Sequence, residues 1–199
     1  MDSIRQGAKS LGLVEIANRR GDAPLAVLRL VEEGAAHPRS LSAVYGLGQQ
    51  PLHTDGAHQP DPPDFVVLVS SRPSATATRL WTAKTHHRRR RGLASPPSAA
   101  LDHGMFLVQN GRDSFYAPAR SGARYRFDPG CMTACDARAR EVEEYFTSQL
   151  AQAATYEWTA SGQVLVIDNQ QALHARSAVV EGDSDRELIR VAFRAETSK

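Results

Sequence analysis

A single mainly β domain with flanking helices, arranged as a β-sandwich or jelly roll, is the fold class that this sequence predicts. Three observations predict it. Seven apolar segments are short and rich in β-branched residues, clusters of Pro, Gly, Asp and Asn separate them, and one longer segment switches to a helical period. A chain of 199 residues, 41% hydrophobic and 23% charged, suffices for one core and is too short for several. It reads as one domain over 1–199, with residues 1–39 poorly defined and 84–97 set apart as a basic loop.

In chain order, the first dozen residues suit a short helix. Residues 25–31 (LAVLRLV) have strand length and strand composition, and so do 65–69 (FVVLV) and 80–83 (LWTA). Between the first two, 59–64 (QPDPPD) is too rich in proline for a helix or a central strand. The loop at 84–97 carries His86, His87 and the run Arg88, Arg89, Arg90, Arg91, and its plain reading is a solvated surface segment. Pro96 and Pro97 then precede a short helix at 98–103. Strands follow at 105–108 (MFLV) and 124–127 (RYRF). Over 136–150, Asp136 can cap a helix in which Ala139, Val142, Tyr145, Phe146 and Leu150 recur at helical spacing, an aromatic stripe suited to core packing. The last strands are 164–167 (VLVI) and 188–193 (LIRVAF).

Charge excludes some function classes. Net charge is +2, and of the 24 basic residues 21 are Arg and 3 Lys beside 29 Ala, a compositional skew that lacks the footprint of a nucleic-acid binder. No apolar run approaches the roughly 20 residues that span a bilayer, and residues 1–13 lack the pattern of a secretory signal. Cys131 and Cys135 are too few for a disulfide framework, and without nearby histidines they make a poor zinc signature. Free thiols in the cytoplasm are expected.

The segment carrying chemistry begins at Pro51, Leu52, His53, Thr54, Asp55, Gly56. In an extended chain side chains alternate, so His53 and Asp55 share a face and Thr54 points away. Composition alone gives about 0.8 such His-x-acid pairs by chance from 7 His and 22 acidic residues, so a third ligand is needed. Residues 162–176 (GQVLVIDNQQALHAR) suggest one: an aliphatic strand runs into the turn Asp168, Asn169 and delivers His174. Two His and one carboxylate form a facial triad that leaves coordination positions open, as non-heme Fe(II) chemistry requires and a closed structural zinc site does not. In 185–194 (DRELIRVAFR) strand alternation puts Arg186, Leu188, Arg190, Ala192 and Arg194 on one face, and buried arginines there would need anions.

The order PLHTDGAHQPDPPDFVVLV, TATRLW, GQVLVIDNQQALHARS, DRELIR resembles the taurine dioxygenase-like and clavaminate synthase-like (TauD/TfdA) group of Fe(II)/2-oxoglutarate oxygenases, from about Ser40 to the end. The resemblance implies a double-stranded β-helix with His53, Asp55 and His174 as iron ligands. It implies Arg186 as the partner of the distal carboxylate of 2-oxoglutarate, matched by its guanidinium fork, and Thr78 as a hydrogen-bonding companion. Arg79 stands at the spacing from Trp81 where the family usually has that threonine. Arg190 falls where some relatives grip an anionic substrate group. The gap from Asp55 to His174 is shorter than usual, so trimmed lid segments are expected.

The resemblance further implies an oxidoreductase, a dioxygenase that uses Fe(II), 2-oxoglutarate and O2 and releases succinate and CO2. Because Asp55 is a carboxylate where halogenating relatives have a small residue, hydroxylation is favoured, with desaturation or cyclisation as the alternative outcome. Arg190, Arg176 and Arg126 point to a small, anionic or amino-acid-like substrate, and His58 is a candidate pocket residue. Arg88 to Arg91 would suit an acidic carrier protein. A non-catalytic jelly roll that binds a metal or ligand is the alternative from another class, and an Arg-rich nucleic-acid module is a third.

Overall fold

Short β-branched runs pair antiparallel throughout this chain. The structure, a computed structural model, describes residues 1–17, 21–36, 40–83, 95–111 and 113–196. One sheet runs β1 (Leu13–Ile16), β13 (Glu187–Ala195), β3 (Phe65–Ser70), β11 (Val164–Asp168), and β2 (Leu25–Arg29) pairs the other half of the same β13 edge that β1 uses. A second sheet runs β10 (Ala154–Trp158), β4 (Ser74–Thr82), β12 (Ala172–Arg176). Main-chain bonds between His53 and His174, 2.9 Å in each direction, extend this sheet by one bridge beyond β12. A third sheet, β6 (Asp113–Pro118), β5 (Met105–Asn110), β9 (Met132–Ala134), and the small pair β7 (Arg120–Ser121) with β8 (Arg124–Tyr125) complete the β structure.

Alternation sorts the strands' side chains into three layers. Val66, Leu68, Leu165, Ile167, Ala172, Leu188 and Trp158 fill the space between the two larger sheets. Behind the second sheet, Trp81 meets Tyr125 and Phe146 edge-on, at 5.2 and 5.1 Å between ring centroids, beneath helix α4 (Ala137–Gln149). Asp136 caps that helix through Ala139 N–H (2.7 Å), and Tyr145 and Phe146 are core residues. Outside the first sheet, Val67, Val69, Val191 and Phe193 pack with Ala8 of α1 (Asp2–Ser10). β13 is therefore apolar on both faces, Leu188 within and Val191 and Phe193 without, whereas alternation in the sequence suggests one hydrophobic face.

Two further helices, α2 (Leu41–Tyr45) and α3 (Ser98–His103), are short. Among the described residues, no helix is long and apolar enough to cross a membrane. The strand expected at 80–83 is the tail of the longer β4, and the one at 124–127 shrinks to two residues. β1, β6, β9, β10 and β12 escape the sequence pattern. β6 and β10 are largely exposed and polar, and β12 (ALHAR) is buried throughout despite its His and Arg. Arg88 to Arg91 lie outside the described residues.

Candidate active site

The open end of the space between the two larger sheets is a cleft of about 560 Å³. His53, Asp55, His58, Thr78, His174, Arg176, Arg186 and Arg190 all line it. Alternation explains the gathering: on β12 Leu173 and Ala175 face the aromatic core while His174 and Arg176 face the cleft, and on β13 Leu188 and Arg190 face it together. The His53–His174 bridge sets those two rings 4.4 Å apart between centroids. Gly56, at φ 68°, turns the chain immediately after Asp55 in a conformation that a side chain would strain.

Asp55 is held at both ends. Its main chain is gripped by Asn169, whose Oδ1 accepts from Asp55 N–H (3.0 Å) while Nδ2 donates to Asp55 C=O (3.0 Å) and to Pro63 C=O (2.9 Å). Its carboxylate takes Arg190 Nη1 on both oxygens, at 2.9 and 3.1 Å. Burial raises the Asp55 carboxyl, but Arg190, His174, His53 and His58 together more than reverse this and hold it below the usual range. Asn169 lies in the turn read from the sequence, yet nothing local signals its task, because its partner is 114 positions away. Replacing Asn169 by alanine orphans two main-chain groups of Asp55 and costs about 1–3 kcal/mol by urea denaturation.

The two histidines differ in what their ring nitrogens meet. His53 Nδ1 lies 3.0 Å from Pro51 C=O, which can only accept, so Nδ1 is the donor and Nε2 is the nitrogen a metal would take. His174 Nδ1 is buried without a hydrogen-bond partner. Burial, with repulsion from His53, pushes the His174 imidazole down to about 3, against the pull of Asp55. The unfolded chain protonates this group near 6.5 and so binds more protons than the folded one between about 6.5 and 3. Stability should therefore fall as pH drops through that window, by up to ~1.4 kcal/mol per pH unit, with Asp55 adding loss at its acid end. Urea midpoints measured in chelator, compared with His174→Asn, check this: the variant should show the shallower slope.

Arg186 is buried, with Nε donating to Thr76 C=O (3.2 Å), and among the described residues no carboxylate forms an ion pair with it. Burial and then repulsion from Arg176 lower its guanidinium to about 10, against Asp183. Thr78 faces the same cleft and accepts from Trp158 Nε1 (3.1 Å), which leaves its hydroxyl proton to donate. Arg79 points the opposite way, onto the carbonyls of Ala151 (3.2 Å) and Ala153 (2.6 Å). Of the pair, Thr78 is the one that lines the cleft with Arg186.

Two of the candidate substrate arginines are otherwise engaged. Arg126 does not line the cleft: its guanidinium clamps the carbonyls of Ala57 (2.6 Å), Gln59 and Pro60 (2.7 Å) and lies over the Phe115 ring. It is corrected to a brace for the loop after Asp55. Arg176 reaches the cleft, but its Nη2 donates to Gly46 (2.5 Å) and Gly48 (2.7 Å). That pins the segment after α2, while the start of α2 lines the cleft through Ser40, Leu41 and Ser42. Sequence reading missed Asp128, a cleft-lining carboxyl that burial pushes up, opposed by His53, Gly130 N–H and Cys131.

The donor set suits a divalent cation: two imidazoles, that of His174 held neutral and with an orphaned buried nitrogen, and one carboxylate held below its usual range. Among the described residues no three His, Cys, Asp or Glu side chains already converge on an ion-sized gap, and both Asp55 oxygens are engaged by Arg190. Arg186 and Thr78 supply what a carboxylate ligand would need.

Fold comparison agrees with this architecture. No protein-family model and no curated protein matches the sequence. The solved structures that match share this jelly-roll fold, and they include non-heme iron oxygenases. One is an asparagine oxygenase in complex with Fe(II), 2S,3S-3-hydroxyasparagine and succinate, with a TM-score of 0.60 and 18% identity over 98% of this chain and 80% of that one. A mutant of the non-heme iron oxygenase OrfP in complex with (3S)-hydroxy-L-Arg gives a TM-score of 0.67 at 19% identity, over 97% of this chain and 64% of that one. The PvcB protein from Pseudomonas aeruginosa gives 0.59 at 18%, over 96% and 78%.

Proposed function

We propose that this protein is a non-heme Fe(II)/2-oxoglutarate-dependent dioxygenase that hydroxylates a small anionic or amino-acid-like molecule. The observation that carries this is the cleft that His53, Asp55 and His174 line together with a buried Arg186 that, among the described residues, forms no ion pair with a carboxylate. His53, Asp55 and His174 would hold the iron. Bound there, Fe(II) and 2-oxoglutarate supply the oxidation: O2 is consumed, 2-oxoglutarate becomes succinate and CO2, and one oxygen atom enters a C–H bond of the substrate.

The chain's own residues do the arranging. Arg186 and Thr78 anchor the far carboxylate of 2-oxoglutarate, where a planar guanidinium gives two-point pairing that its burial strengthens. Asn169 fixes the Asp55 main chain, and Pro51 fixes the His53 tautomer. Arg190 offers a cation to the anionic group of the substrate, His58 and Asp128 line the remaining wall, and Arg176 holds the segment that closes one side. The asparagine oxygenase and OrfP neighbours hold hydroxylated amino acids, which supports an amino-acid-like substrate here.

Anaerobic addition of Fe(II) and then 2-oxoglutarate tests the reading. A visible metal-to-ligand charge-transfer band should appear, and succinate should form when air and a substrate are admitted. An iron-loaded sample that shows no band overturns the 2-oxoglutarate assignment. Iron binding with no 2-oxoglutarate consumption against any amino acid would return the protein to a non-catalytic jelly roll.

A further inference from the structure

Arg190 is paired with one carboxylate and faces the cleft. It projects from the middle of β13 into the cleft, and its Nη1 straddles the Asp55 carboxylate at 2.9 and 3.1 Å, with the two side chains 13% and 9% exposed. Its Nε is buried and has no acceptor, so the guanidinium is not satisfied by Asp55 alone. Two cations cannot share the Asp55 carboxylate without repelling each other, and one guanidinium cannot serve both this carboxylate and a ligand anion at full strength. A partner that leaves Arg190 uncompensated in this setting is costly, so Arg190 would exchange one anion for another rather than stand alone.

We propose that Arg190 is a positioning residue that exchanges the Asp55 carboxylate for an anionic group of the ligand, and that this exchange links divalent-cation binding to anion binding in the cleft. The proposal rests on the reading of His53, Asp55 and His174 as the cation site. An anion that draws Arg190 away frees Asp55 for the cation, and by reciprocity the cation, by taking Asp55, releases Arg190 for the anion. The site would then favour its fully assembled state over the cation alone.

The test uses the full chain, Mn(II) as the probe cation and sulfate as the probe anion, at constant ionic strength. Mn(II) affinity is read by electron paramagnetic resonance. For the wild type, saturating sulfate should tighten Mn(II) binding on the order of tenfold, within the usual range of coupling between sites. R190Q should bind Mn(II) more tightly than the wild type without sulfate and should not respond to sulfate, while R186Q should keep the response. Mn(II) binding to the wild type that is indifferent to sulfate overturns the linkage, and needs no variant to fold. A sulfate response that persists in R190Q overturns it too. Absence of Mn(II) binding to both wild type and R190Q is a different result: it removes the cation site, and the linkage with it.

Discussion

Replacing His174 by alanine should weaken divalent-metal binding by more than about a hundredfold and abolish turnover with it, since even supporting partners of metal ligands are worth roughly 10–100-fold. The fold should survive. His174 pairs with His53 through main-chain atoms, N–H to C=O in both directions at 2.9 Å, and alanine keeps both bonds. The imidazole itself has a buried nitrogen without a partner, so its loss removes an orphaned polar group along with the packing. Titration of Mn(II) or Fe(II) against wild type and variant, with circular dichroism to confirm an unchanged β signal, measures both halves. A variant that binds metal as the wild type does would exclude His174 as a ligand.

Replacing Arg186 by glutamine should raise the KM for 2-oxoglutarate by roughly a hundredfold or more, the loss of two charge-assisted hydrogen bonds at about 1.5–3 kcal/mol each. The same change should not lower the stability of the ligand-free protein. Arg186 is buried, repelled by Arg176 and, among the described residues, not ion-paired with a carboxylate, so its charge opposes folding in the ligand-free protein. Thermal melts alone and with 2-oxoglutarate separate the two effects: the wild type should gain stability on adding the dicarboxylate and the variant should not. Equal stabilisation of both would move the carboxylate site elsewhere.

Much of this cleft is written in local pattern. His53 and Asp55 share a face because an extended chain alternates, and Arg186, Leu188 and Arg190 meet the same cleft for the same reason. The Ala137–Gln149 helix is legible from its cap and its apolar spacing, and the strands at 65–70 and 164–168 from their β-branched runs. What local pattern could not show is which distant group each polar side chain meets. Arg126 looks like a ligand-seeking arginine and is spent on three carbonyls, and Asn169 looks like a turn residue and holds Asp55. β12 hides as a strand because a His and an Arg interrupt its apolar character, although every one of its residues is buried.

The bridge that seats His53 against His174 also has a kinetic meaning. One candidate ligand pair, His53 and Asp55, lies early in the chain and the other candidate lies near its end, on a strand that pairs β4 in the register His174 to Leu80 and bridges to His53 on its other side. A slip of one residue there would turn His174 toward the aromatic core and Leu173 toward the cleft. Such non-local pairing forms late, after the entropy of closing a long loop has been met. Metal capture by the proposed site should therefore appear in refolding as a slow event that coincides with burial of Trp81.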